Sequence, residues 1–260
     1  MILPRAYVIV DYCFSPEHER RLGEIGFIAL EKVQRTSPLG QDVSFMNLTS
    51  NTEAPRTFEA AGRTYNLILD RYFIPVPADP IVDTALCDYI SPDYERHIAV
   101  ERNLANIGRL LQCALTRFAT TSCELAMLDF GCGTGLIVRA LDALPIDVRN
   151  RLRVTGTDAS PTMLKAAKHR GLHVVTLSEW SRLAVARFDI VICSYVLHFG
   201  LTVDQAQRLS QQLRPRGMIV GNFHKATAFQ LRQLHDQFQK FGRSMVVDGG
   251  PQDNPIVVIL

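Results

Sequence analysis

Five short apolar runs recur through the second half of the chain: Leu125–Phe130, Arg151–Thr157, His173–Leu177, Asp189–Ser194 and Met218–Phe223. Between them stand segments of helical spacing: Gly135–Ala143, Pro161–Arg170 and Val203–Leu213, with a further one at Ala226–Phe241. The stretch after Leu177 reads as a short helix or loop. Repeated strand-helix alternation admits few folds. Each crossover covers a face of the sheet, so the expectation is a mostly parallel sheet with helices on both faces. The last two runs, Ser244–Val247 and Pro255–Leu260, have only Asp248-Gly249-Gly250-Pro251 between them. They are expected to form a hairpin, which adds an antiparallel strand.

The first half has a different texture. Ala6–Tyr12, Gly26–Val33 and Val43–Leu48 read as strands, and Arg56–Ala61 and Arg63–Leu69 flank a hairpin turn at Ala61-Gly62. Pro16 and the charged Glu17–Arg21 open a short helix. Tyr72–Pro77 reads as an extended connector, because residues before proline avoid the helical region. Ser91 and Pro92 suit the cap and first position of a helix carried by Ile98, Leu104, Ile107, Leu111 and Leu115 to about Phe118. The expected division is an α+β amino-terminal module over residues 1–85 and an α/β domain over residues 86–260.

Composition narrows the function classes. Apolar residues make up 47% and charged residues 21% of 260, so wholesale disorder is excluded. No run approaches the ~20 consecutive apolar residues of a membrane span. No basic segment followed by a long apolar one stands at the start, so a cytoplasmic protein with no membrane association is expected. Six cysteines form no CxxC pair and no zinc spacing, so no metal is expected. The net charge of +2 gives no extended phosphate-binding surface, and the basic clusters at 149–153 and 165–170 read as solvated faces.

Four segments carry chemistry. Leu128-Asp129-Phe130-Gly131-Cys132-Gly133-Thr134-Gly135 leaves a strand and enters a helix. Its glycines allow a sharp turn and close backbone approach to a ligand. The spacing GxGxG departs from the GxGxxG of nicotinamide sites, which disfavours an oxidoreductase. Thr157-Asp158-Ala159-Ser160-Pro161-Thr162-Met163 puts an acid at the end of the second strand, 27 residues after Gly131, suited to ribose hydroxyls or to a helix cap. Asp189–Phe199 is a buried strand whose carboxyl end carries Ser194, Tyr195 and His198, and Leu213–His224 turns into another.

In this order the four segments resemble the class I S-adenosylmethionine-dependent methyltransferases, of the small-molecule type, over about residues 90–260. The resemblance implies a Rossmann-like seven-stranded sheet of order 3-2-1-4-5-7-6 with strand 7 antiparallel. It implies S-adenosyl-L-methionine as cofactor and S-adenosyl-L-homocysteine as product. Asp129 and the loop Gly131, Cys132, Gly133 and Gly135 would hold the methionine part. Asp158 would bind the ribose, and Ala159, Ser160 and Met163 would lie beside the adenine. Ser178 stands where the family often has an acid, with Glu179 or a backbone N–H as the other option. Ser194 and Tyr195 would border the sulfonium and the acceptor. Tyr94, or alternatively Tyr89, would close over the cofactor. His198 is the expected base or acceptor contact, with His224 second.

The implied reaction is methyl transfer to a nitrogen or oxygen of a small molecule. An RNA or protein methyltransferase and a non-catalytic partner-binding protein are the alternatives. The Asn-Pro-Pro-Tyr tetrad of enzymes acting on base amino groups is missing, which argues against a nucleic-acid amine. The amino-terminal module is expected to act as a substrate lid or to form a homodimer.

Overall fold

The computed structural model describes residues 4–76, 79–120, 123–224, 227–247, 249 and 254–260. The expected helix start at Ala226, and most of the Asp248–Pro251 connection, lie outside the described residues. The chain divides into two compact units, Met1–Ile98 and Ala99–Leu260.

The first unit is built on a six-stranded sheet. In chain order its strands are β1 (Arg5–Asp11), β2 (Ile28–Thr36), β3 (Asp42–Ser50), β4 (Thr57–Ala60), β5 (Arg63–Ile68) and β6 (Tyr72–Val76). Their spatial order is β2-β3-β1-β6-β5-β4. Among the described residues, only the β1–β6 pair of this sheet is parallel. Alternation along β1 supplies both faces. Tyr7 and Ile9 join Leu22 of helix α1 (Pro16–Glu24), whereas Val8 and Val10 join Val82, Ala85 and Leu86 of helix α2 (Pro80–Ile90). The hairpin turn at Ala61-Gly62 is where the sequence puts it, both residues having positive φ. One buried carboxylate of this unit is satisfied internally: Asp11 accepts from Arg63 and from the Tyr65 hydroxyl, and Tyr65 lies 3.0 Å from His18 Nε2.

Three expectations for this region are corrected. Residues 72–76 are a strand, not a connector. Pro75 sits opposite Tyr65 on β5, while β6 meets β1 only through Tyr72 and Phe73, so the missing N–H of Pro75 falls where the second ladder has ended. Ser91 does not cap the long helix. It ends α2 and begins a 3-10 turn, Ser91–Asp93, followed by the short α3 (Tyr94–His97). Ile98 is extended, and the long helix α4 starts later, at Val100–Arg117. The sequence reading missed α2, although Asp79 caps it through Ile81 N (3.0 Å) and Val82 N and Pro80 holds its first position. Because α2 packs on β1, β3 and β6, the units part at Ile98/Ala99 and not at 85/86.

The second unit holds the alternation. Its strands are β7 (Leu125–Phe130), β8 (Leu152–Asp158), β9 (His173–Thr176), β10 (Phe188–Cys193), β11 (Leu213–Asn222), β12 (Met245–Val247) and β13 (Ile256–Ile259). After α4, its helices are α5 (Leu136–Asp142), α6 (Ile146–Arg149), α7 (Pro161–His169), α8 (Leu177–Ser181), α9 (Val203–Gln212) and α10 (Ala228–Gln239). The spatial order β9-β8-β7-β10-β11-β13-β12, with its strands renumbered from 1 at β7, is 3-2-1-4-5-7-6. β13 runs antiparallel to both neighbours, and the other described ladders of β7 to β11 are parallel. Both features are those expected from the sequence. The central strands are covered on both faces, and Met127, Leu128, Ile190, Val191, Ile219 and Val220 are fully buried. Burying such side chains stabilises by roughly 1.5–3 kcal/mol each.

Candidate functional site

Two loops meet at the carboxyl ends of β7 and β8. The first, 131–135, is fixed at both ends by close packing. Gly131 has φ +76°, and a Cβ there would fall 2.2 Å from Val196 Cγ2. Gly135 has φ +79°, and its Cβ would meet the Ala167 Cα at 3.0 Å. A Cβ on Gly133, between them, would meet nothing within 4 Å. The loop is thus pinned at its feet and open at its crest, a cradle over which a ligand can lie against bare backbone. The N–H groups of Gly131 and Cys132 both donate to Thr157 O, at 2.8 and 3.0 Å, which ties this loop to the end of β8.

Asp158 joins the two loops. Its Oδ2 accepts from Gly133 N and its Oδ1 from Ser160 N, each at 2.9 Å. Ser160 is buried and caps α7, its hydroxyl accepting from Met163 N at 3.1 Å, with Pro161 in the first position. Met163, in the first turn of α7, is buried. Asp129, also buried at the end of β7, has its carboxyl pushed up to about 7 by burial and by the nearby Asp158 charge. Burial and the same two carboxylates also raise the Cys132 thiol, which keeps it protonated and unreactive.

Glu179 has an assignment that the sequence reading did not give it. Its carboxylate folds back to accept from Thr176 N at 2.8 Å and Thr176 Oγ1 at 3.0 Å, closing a capping box on α8. Both it and Ser178 are exposed.

The third part lies beyond β10. Ser194 Oγ accepts from Asn106 Nδ2 at 3.3 Å, and Tyr195 N donates to Asn222 Oδ1 at 2.7 Å. Tyr195 has φ +55°, a left-handed conformation that a tyrosine adopts only when its surroundings hold it. What holds it is a closed ring of buried amides. Asn106 Nδ2 donates to Asn222 (3.0 Å), Asn222 Nδ2 to Asn254 (2.6 Å), and Asn254 Nδ2 back to Asn106 (3.3 Å). Sequence reasoning missed Asn106 and Asn254 and gave Asn222 no role. The available signal is an amide inside an otherwise apolar run, as Asn106 beside Ile107, Leu110 and Leu111 on α4. Amides in such places are kept only where they find partners.

Tyr195 packs its ring edge-on to His224 at 5.8 Å, and His224 is 5.9 Å from His198. The structure therefore brings Tyr195, His198 and His224 together. His198 Nδ1 is shut off from solvent and has no partner. Burial, and secondly the neighbouring His224, lower its pKa to about 4. Tyr94 belongs to the first unit, on α3, where it packs against the Val8, Val10 and Phe45 cluster, as does the alternative Tyr89.

The His198 environment has a measurable consequence. The unfolded imidazole takes a proton near 6.5 and the folded one only near 4, so between these values the unfolded chain binds more protons. The stability that His198 contributes is full above about 6.5 and is lost as pH falls through that window. Comparing urea midpoints at pH 7 and pH 5 is expected to show a larger acid loss in the wild type than in His198→Gln. The Asp129 effect has the opposite sign, is common to both proteins and cancels in the difference.

Residues 128–219 match a family model described as a methyltransferase domain. Uncharacterized methyltransferase C70.08c of Schizosaccharomyces pombe is 31% identical over 138 residues, which is 49% of this chain and 50% of that protein. Uncharacterized methyltransferase YodH of Bacillus subtilis is 31% identical over 121 residues, 44% of this chain and 49% of that protein. The chain thus spans about half the length of the curated relatives it matches. Among solved structures, a TehB-like S-adenosylmethionine-dependent methyltransferase from Corynebacterium glutamicum is similar at 19% identity and TM-score 0.48, over 66% of this chain and 97% of that one. The family match spans the glycine loop, Asp158 and β10, and the seven-stranded order surrounds them, so residues 128–219 are those of a methyltransferase domain.

Proposed function

We propose that the protein transfers a methyl group from S-adenosyl-L-methionine to a nitrogen or oxygen of a small molecule. The observation that carries this reading is the pair of loops at the ends of β7 and β8, joined through Asp158 and open at Gly133. When bound, the cofactor supplies an activated methyl on a sulfonium. The residues present fit it. The buried Asp129 carboxyl faces a strong desolvation cost that an ammonium such as the methionine amine would relieve. Asp158 offers a carboxylate to a ribose diol, and the open backbone at Gly133 admits the methionine chain. Ala159, Ser160 and Met163 line the adenine side, with Ser178 beyond β9.

Ser194 and Tyr195 border the acceptor, held by the asparagine ring. Such a reaction needs chiefly a fixed line of acceptor, methyl and sulfur, and a rigid rim supplies it. His198, neutral at pH 7 and grouped with Tyr195 and His224, would contact the acceptor; with its Nδ1 shut off from solvent and its pKa lowered to about 4, it suits contact better than proton removal. A small molecule is favoured over RNA because the basic face is already partly neutralised. Arg149 pairs with Asp142 and Arg153 with Glu124, each at 2.9 Å. The amino-terminal unit would serve as lid or as dimer contact.

Among the described residues no helix is long and apolar enough to cross a membrane, and no group of three or more His, Cys, Asp or Glu could hold a metal ion. The test is a labelled-methyl assay against amines, carboxylic acids and hydroxyl compounds beside total RNA and total protein. Label in the low-mass fraction is expected. Label confined to RNA or protein, and lost at high salt, would overturn the small-molecule acceptor.

A further inference from the structure

Among the described residues, the first unit leaves two strands, β2 and β4, without a second neighbour. β2 is outermost in its sheet and pairs only with β3. It is nine residues long, and every residue except the half-buried Val33 is exposed. Ile28 is 60% exposed and Leu30 64%. The opposite edge, β4, has only four residues. A long edge strand with open N–H and C=O groups is a template for another strand.

The charge pattern of β2 selects the occupant. In its pairing with β3, Glu31, Val33 and Arg35 share one sheet face and Lys32 and Gln34 the other. A second β2, added antiparallel about a two-fold axis, has several possible registers. Centring on Lys32 opposes two lysines, and centring on Glu31 opposes two glutamates. Centring on Gln34 leaves both charges of Glu31 and Arg35 without an opposite partner. Centring on Val33 places Val33 against Val33 and sets Glu31 of each copy against Arg35 of the other. Lys32 then faces Gln34. Cross-strand opposite charges and β-branched pairs are the favourable kinds, and like charges directly opposed are not.

Two further observations fit this register. The β-bulge in β2 falls between Ala29 and Glu31, leaving residues 31–36 regular for pairing. Arg35 is stacked over the Tyr89 ring at 4.8 Å, so its guanidinium is held in place before any partner arrives. Leu30 and Ile28 of one copy would run toward the Thr36–Leu39 turn of the other, where Leu39 is 44% exposed.

We propose that a second copy of this chain pairs antiparallel along β2, centred on Val33, to join two six-stranded sheets into one. This selects the dimer role over the lid role for the amino-terminal unit and is independent of methyl transfer. Sedimentation of the full chain at micromolar concentration is expected to show a dimer. Val33→Lys, at a half-buried position of the edge strand where a lysine ammonium can still reach water, is expected to give a folded monomer. Glu31→Arg and Arg35→Glu each oppose like charges and are expected to raise the dissociation constant about tenfold or more. The double variant Glu31→Arg/Arg35→Glu restores the complementarity and is expected to dimerise like the wild type. A wild type that stays monomeric, a dimer indifferent to Val33→Lys, or a double variant no tighter than the single ones would overturn the proposal. Affinity for S-adenosyl-L-homocysteine is expected to be unchanged in all four variants, so loss of the dimer and loss of the cofactor site are read separately.

Discussion

Asp158→Ala is expected to weaken binding of S-adenosyl-L-homocysteine by about 100-fold or more, read by calorimetric titration against the wild type. The magnitude follows from the bonds this carboxylate makes. It accepts from Gly133 N on one loop and Ser160 N on the other, each at 2.9 Å. Hydrogen bonds to charged groups contribute roughly 1.5–3 kcal/mol each. Removing the side chain frees the crest of the glycine loop and takes away the proposed ribose acceptor together, so loss of about 3 kcal/mol, or a factor near 100, is a modest expectation. Asp158→Asn keeps the shape but replaces one acceptor oxygen with a donor, which cannot accept from a backbone N–H. An intermediate loss is expected. Should both variants bind as the wild type does, the carboxylate is only a helix and loop brace.

Gly131→Ala is expected to destabilise the fold by about 2–4 kcal/mol, measured from the urea midpoint with m unchanged. Two independent costs add. A left-handed conformation costs a residue with a Cβ roughly 1–2 kcal/mol. The new methyl would also fall 2.2 Å from Val196 Cγ2, and a β-branched valine has little rotamer freedom with which to retreat. The two costs can be separated. Val196→Ala in the same chain removes the clash and leaves the backbone strain, so it should recover part of the loss and not all of it. Complete recovery would mean that the φ of +76° is not a constraint. No recovery would mean that Val196 is not the neighbour that matters.

These residues also show what a sequence discloses. The strands β7, β8 and β10 are legible because each is a short run rich in apolar or β-branched residues, with a glycine after β7 and a helix cap after β8. Their boundaries depend on neighbouring residues alone. Ser160, Pro161 and Met163 fell where the cap pattern placed them, since capping is also local. The first unit was harder. Pro75 hides a strand, because whether a proline is tolerated depends on where the neighbouring ladder stops. Ser91-Pro92 and Asp79-Pro80 are the same signal twice, and only packing decides that the second opens the α2 helix and the first closes it.

The asparagine ring was illegible for a different reason. Asn106, Asn222 and Asn254 come from α4, the end of β11 and the approach to β13, up to 148 residues apart. No periodicity links them, and each alone reads as an isolated polar residue. Their role emerges only once strand order brings β10, β11 and β13 side by side. Glu179 is the converse case. Local pattern alone, Thr176 with an acid three residues on, identifies a capping box. The family resemblance directed the reading toward adenine instead.

The account rests on one claim, that the cofactor lies across the carboxyl ends of β7 and β8. A crystal structure of the protein with S-adenosyl-L-homocysteine tests it most directly. The expected result is the ligand seated over Gly133, its ribose hydroxyls on Asp158 and its methionine amine toward Asp129, with the sulfur facing Ser194 and Tyr195. A ligand bound away from Asp158, or none bound at saturating concentration, would contradict it.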